Sequence, residues 1–193
     1  MTITKERAAE LDAQQPEATK QGGLPDVGVC VQCLAAYNQG EHHWVWVDLV
    51  EMANQGETLT ECIQWMLASS PAAFAEEWMF SDSSGLPGYL QGEHVATVSV
   101  EAYALACERV DDQYREAFRL LCDYLGETVD ADRFDEMFLG EQDPEDYVAD
   151  YYDETNEIPD HLLPYIDWEA IARDWRLNGD LIVVDGYLFN GNA

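Results

Sequence analysis

Residues 181–189, LIVVDGYLF, decide the fold class: four apolar strand-formers, an Asp-Gly pair, then three further apolar or aromatic residues. Both central positions of a type I′ turn need positive φ, and Asp185-Gly186 is a pair that this turn selects, so the stretch predicts a two-residue β-hairpin. Helical patterns lie upstream of it. WEAIARDWRLNG (168–179) predicts a helix capped by Asp167 and closed by Gly179. Before that, EQDPEDYVADYYDETNEIPD (141–160) predicts a helix over about 144–156, with Asp143 at the N-cap, Pro144 first and Asp146 in the first turn. The expected C-terminal domain, 134–193, is therefore α+β.

The middle of the chain is helical in period. SVEAYALACERV and DDQYREAFRLLCDYLG follow one another, the second with Tyr114, Phe118, Leu121 and Leu125 in register and Gly126 as its stop. A shorter helix, DADRFDEMFLG, carries Phe134, Met137 and Phe138. These define an expected helical domain over 93–133. The Gly- and Ser-rich stretch SDSSGLPGYLQGEH (81–94) marks its boundary with an N-terminal α+β domain, 27–92. There VGVCVQCL reads as a strand, YNQG as a turn, and HWVWVDL as a strand in which Trp44 and Trp46 alternate with Val45 and Val47. A helix follows from about Thr58, with Leu59, Cys62, Ile63 and Met66 on one face, and EEWMFSD is a third strand. Residues 1–26 are polar and Gln-rich and are expected as a flexible tail. The fold class is α+β, in three small domains.

Charge is the strongest compositional feature. The 193 residues carry 39 acids against nine bases, net −30, yet 47% are hydrophobic and six are Trp, so the chain has the material for a core. Residues 21–108 contain 12 acids and no Lys or Arg; from 109 onward 23 acids face six Arg. Self-repulsion of this size destabilises a compact state. B-DNA carries one charge per ~1.7 Å of axis, so 30 charges correspond to roughly 50 Å, or about 15 base pairs. Such a surface repels a phosphate backbone, so direct nucleic-acid binding is not expected. No apolar run reaches the ~20 residues of a membrane helix and no secretory signal is visible; a cytoplasmic protein is expected.

Motifs for chemistry are weak. Cys30 and Cys33 form a CxxC followed by His42 and His43, but both cysteines fall in a predicted strand and no second CxxC exists, which favours buried thiols over zinc or redox chemistry. DADRFDEMFLGE resembles a calcium loop only superficially, with Phe134 fifth and Asp135 where Gly is required. No nucleophile elbow, P-loop or HExxH pattern is present. No cofactor, metal or catalytic residue is expected.

The acids concentrate in 141–160, where nine Asp or Glu stand without a base. On the predicted helix Asp146, Asp150, Asp153, Glu154 and Glu157 share one stripe, about one charge per 3.3 Å of rise, close to the ~3.4 Å of a single DNA strand. Tyr147, Val148 and Tyr151 form another. A mixed-sign surface would be cheaper, since like charges at i and i+4 oppose the helix. The candidate partner-binding acids are Glu141, Asp143, Glu145, Asp146, Asp150, Asp153, Glu154 and Glu157. Tyr147, Val148, Tyr151 and Tyr152 are candidates for a subunit interface.

The chain resembles ArdA-type antirestriction proteins. The resemblance rests on AAYNQGEHHWVWVDL, MLASSPAAFAEEWMFSD, EDYVADYYDETNEIPDHLLPYIDWEAIARDWRLNGD and the closing hairpin, and covers about Val27 to Phe189. It implies a non-catalytic DNA mimic that binds the DNA-recognition and methyltransferase core of type I restriction-modification enzymes and protects mobile DNA in bacteria. It further implies an elongated three-domain chain and a homodimer formed through the C-terminal domain, with EDYVADYYDET the motif associated with that contact. The sequence departs from the family pattern at Ser81, Asp82, Ser83 and Ser84, in the CxxC and in the N-terminal extension. The alternative expectation is a general acidic DNA mimic directed at nucleoid or repair proteins.

Overall fold

The computed structural model describes residues 5–20, 23–155, 158–159 and 161–193. The chain divides into two compact units, Met1–Val129 and Asp130–Ala193, each with its own antiparallel sheet and helices, an α+β architecture. The expected boundary near residue 92 lies inside the first unit, where Leu86, Pro87 and Leu90 are buried. Gly85 is needed there: at φ 63° it passes the Asp26 carbonyl so closely that a Cβ would lie 2.2 Å from the oxygen.

The first unit opens with α1 (Lys5–Ala13) and continues through β1 (Gly28–Cys33), α2 (Leu34–Asn38), β2 (Trp44–Asp48), α3 (Leu49–Gln55), α4 (Leu59–Ala68) and β3 (Trp78–Ser84). Strand order is β2-β1-β3, with a bulge between Cys30 and Val31 where β1 meets β3. Val29, Val31 and Val47 project to one face and are at most 1% exposed. Against β1 and β2 packs α4, burying Leu59, Cys62, Ile63 and Met66. Thr58 and Glu61 close that helix with a reciprocal capping box, the arrangement that holds two orphan N–H groups at a helix start.

Helix α3, seven residues long, follows β2 without a break; Asp48 ends the strand and caps the helix, accepting from Val50 N and Glu51 N. It packs on α5 (Thr97–Arg109), whose Tyr103 stacks on Phe118 of α6 (Arg115–Leu125) with ring centroids 5.5 Å apart. Gly126, at φ 71°, ends α6 as the pattern predicted.

The expectation of a flexible tail is corrected for residues 9–20. Leu11 is 5% exposed and its carbonyl accepts from Trp65 Nε1 at 2.9 Å. Glu17 N and Ala18 N donate to the two Glu57 carboxylate oxygens at 2.8 and 3.1 Å, and Ala18 is fully buried. The segment is a strap tied down by main-chain groups.

In the second unit, α7 (Ala131–Met137), capped by Asp130, runs into β4 (Phe138–Glu141). Phe138, expected on the helix, begins the strand instead: its ring lies 5.2 Å from Phe134 and 5.8 Å from Phe189, so pairing with the hairpin ends the helix at Met137. Then come α8 (Pro144–Thr155), α9 (Trp168–Asn178), β5 (Leu181–Val184) and β6 (Tyr187–Asn190). The strands lie in the order β4-β6-β5. The hairpin turn has Asp185 at φ 47° and Gly186 at φ 87°, the type I′ signature. Phe134, Met137, Leu181, Leu188 and Phe189 are at most 2% exposed and form the core.

Candidate functional site

The candidate surface centres on α8. Its first turn is closed by Tyr147 N donating to the Asp143 carbonyl at 3.0 Å, with Glu145 and Asp146 placed where the helix dipole favours negative charge. The far end lacks such support: the last turn holds Asp153 and Glu154 and no base. One face is anchored by Val148, which has no exposed surface. The anchoring partner is α9, capped by Asp167 accepting from Ala170 N at 2.9 Å and closed by Gly179. Between the two helices the Tyr151 ring meets Trp175 edge-on at 5.3 Å, and Tyr152 lies 6.0 Å from Trp168 and 6.1 Å from Trp175.

This packing divides the expected tyrosine stripe. Val148 has no exposed surface. Tyr152 is half-buried among tryptophans, whereas Tyr151 is 43% exposed despite its ring contact. Tyr147 is half-buried, and burial raises its hydroxyl pKa above the ordinary tyrosine value. Together Tyr147, Tyr151 and Trp175 line a groove of about 420 Å³ with Leu139, Leu181 and Asn190.

Six of the eight expected acids are exposed. Glu141 ends β4 and is exposed, as are Asp143, Asp146, Asp150, Asp153 and Glu154; Glu145 is half-buried. Glu157 lies outside the described residues. Asp146, Asp150 and Glu154 follow one another at single-turn spacing, a like-charge row that isolated helices avoid. Across the two units the charge is evenly shared: 21 acids and six bases up to Val129 leave −15, and 18 acids and three bases from Asp130 leave −15. The second unit has half as many residues, so its charge density is about twice that of the first.

Several acids have a role that pattern reading could not assign. Glu57 holds the strap, Glu101 accepts from Leu59 N at 2.8 Å, and Asp123 accepts from Gly88 N at 2.6 Å. Their partners are 35 to 42 positions away in sequence, so no local spacing marks them.

The CxxC is no redox pair in this geometry. Cys30 and Cys33, three apart on one strand, point to opposite sheet faces, and all five cysteines are free and buried. Burial pushes the thiols of Cys62 and Cys107 up to about 12 and that of Cys122 up to about 11, the reverse of an activated thiolate. Among the described residues no group of three or more His, Cys, Asp or Glu is arranged to hold a metal ion, and no helix is long and apolar enough to cross a membrane.

No curated protein matches the sequence. The sequence model of the antirestriction protein family ArdA matches residues 29–189, more than four-fifths of the chain, beginning just after the strap and ending in the closing hairpin. The chain belongs to the ArdA antirestriction family.

Proposed function

We propose that this chain is a non-catalytic DNA mimic that inhibits type I restriction-modification enzymes by occupying their DNA-binding groove, its carboxylates standing where phosphates would lie. The observation that carries the reading is the exposed acidic row of α8, unrelieved by any base between residues 141 and 160, within a unit of 64 residues carrying −15. A fold retains such self-repulsion when something outside compensates it, and a basic groove built for duplex DNA does so. Charge neutralisation supplies affinity and shape supplies selectivity. The partly exposed Tyr151 edge and the groove beside it suit a homodimer contact, which would extend the charged surface. The setting is the bacterial cytoplasm, where incoming mobile DNA meets such enzymes.

The test is competition. Purified protein displaces duplex DNA from a type I enzyme at low salt and blocks cleavage, with inhibition weakening as salt rises. Unchanged DNA binding and cleavage at low salt would overturn the proposal. Recovery of nucleoid or repair proteins from a bacterial lysate, in place of restriction subunits, would shift the reading to a general acidic mimic.

A further inference from the structure

We infer that the open face of the N-terminal sheet receives an arginine side chain of the bound enzyme, held against tryptophan rings and the Asp82 carboxylate. The inference rests on the DNA-mimic reading and adds to it a contact that is not simple charge pairing.

Strand register builds the site. Trp46 and Asp82 lie opposite Cys30 from its two sides, and Trp44 and Met79 lie opposite Gln32 in the same way. Neighbouring strands are ~5 Å apart, so the Trp46 and Asp82 backbones stand about 10 Å from each other across β1. An indole and a carboxylate projecting from that spacing leave room for one planar cation between them. Tyr37 of α2 and His42 complete a groove of about 400 Å³ on this face.

Two further observations point to a ligand. Trp44 is 52% exposed, a large aromatic surface left in water. Gln32, only 7% exposed, lines the groove beside it. Asp82 Oδ1 accepts from Ser83 N at 2.8 Å, while Oδ2 has no partner among the described residues. The groove is built wholly from residues 30–82, inside the span 21–108 that contains no Lys or Arg, so no basic side chain of this span competes for it.

Aromatic faces beside a carboxylate and an amide select a cation. Among protein cations the guanidinium fits best, because it is planar, stacks on indole and donates in a fork to a carboxylate. A protein groove that binds DNA phosphates supplies such side chains.

The experiment uses the full chain in competition with duplex DNA for a type I enzyme, comparing wild type with W44A, W44L, W44F and D82N. The expected result is about tenfold weaker inhibition for W44A and W44L, between the size of an exposed and a desolvated cation–π contact, with a smaller loss for W44F. The salt dependence of these three should stay as in wild type. D82N should weaken inhibition several-fold while keeping its acceptor for Ser83 N. Wild-type affinity in W44A would overturn the inference, and so would wild-type affinity in W44L, since an apolar partner would then suffice. Circular dichroism checks folding, and should W44A not fold, D82N and W44L carry the same test. If wild type itself failed to displace DNA, the mimic reading would fall and the inference with it. If wild type competes and the variants match it, only the inference falls.

Discussion

Replacing Asp150 and Asp153 with Asn should make the protein more stable and a weaker inhibitor at once. Asp150 lies one turn from Asp146 and from Glu154 and three residues from Asp153, so the double variant removes three like-charge neighbours. At a few tenths of a kcal/mol each, that relief is about 1 kcal/mol at low salt. Asp153 also sits in the last turn of α8, where no base offsets it, and neutralising it removes a dipole penalty of about 0.3 kcal/mol or more. Asn and Asp have similar helix propensity, so little is lost in exchange. A gain of about 1 kcal/mol corresponds to a melting point roughly 2–4 °C higher for a chain of this length. On the binding side, two exposed charge contacts at about 0.5 kcal/mol each come to about 1 kcal/mol, or roughly fivefold in affinity, fading as salt rises. Calorimetric melting at ~50 mM salt reads the first effect and fluorescence competition against duplex DNA the second, with light scattering to check the assembly state. Higher stability with undiminished inhibition would place this row away from the enzyme. A lower melting point would refute the claim that α8 is held against its own repulsion.

Two further outcomes are expected. Glu57→Ala deprives Glu17 N and Ala18 N of their acceptor and should cost about 1–2 kcal/mol, read as a lower melting point and faster hydrogen exchange at those two amides; an unchanged melt would mean that the strap is not seated through this carboxylate. Because all five thiols are buried and burial raises the pKa of Cys30, Cys62, Cys107 and Cys122, a thiol reagent at neutral pH should label the native protein slowly and the denatured protein at five sites, and prompt native labelling would contradict the packing.

Much of the architecture could be read from local signals. Asp185-Gly186, the helix start at Thr58, and Gly126 each fix a turn or helix end locally, and each appears in its expected place. What escaped depends on distant partners. The α3 helix is too short for its period to show, and Asp48, which caps it, also continues the alternation of the preceding strand. Phe138 has the spacing of a helix residue but pairs with Phe189, half a hundred positions later. The strap was illegible because Trp65 and Glu57 recognise its main chain, which composition does not report. On α8 the acids could be assigned to the outer face from spacing alone. The full burial of Val148 and the engagement of Tyr152 with the tryptophans of α9 needed the folded structure.

The carboxylates that accept backbone N–H groups bear on how a charge scan of this protein should be interpreted. Asp48, Glu57, Glu61, Glu101, Asp111, Asp123, Asp130 and Asp167 each hold a helix start, a loop or the strap in place. Reversing any of them would unseat local structure and reduce inhibition whether or not that residue meets an enzyme. Amides of the same shape, Asn for Asp and Gln for Glu, keep the acceptor and remove only the charge. A map of the inhibitory face drawn with Asn and Gln should therefore be narrower than one drawn with Lys, and the difference between the two maps would outline the acids that serve the fold.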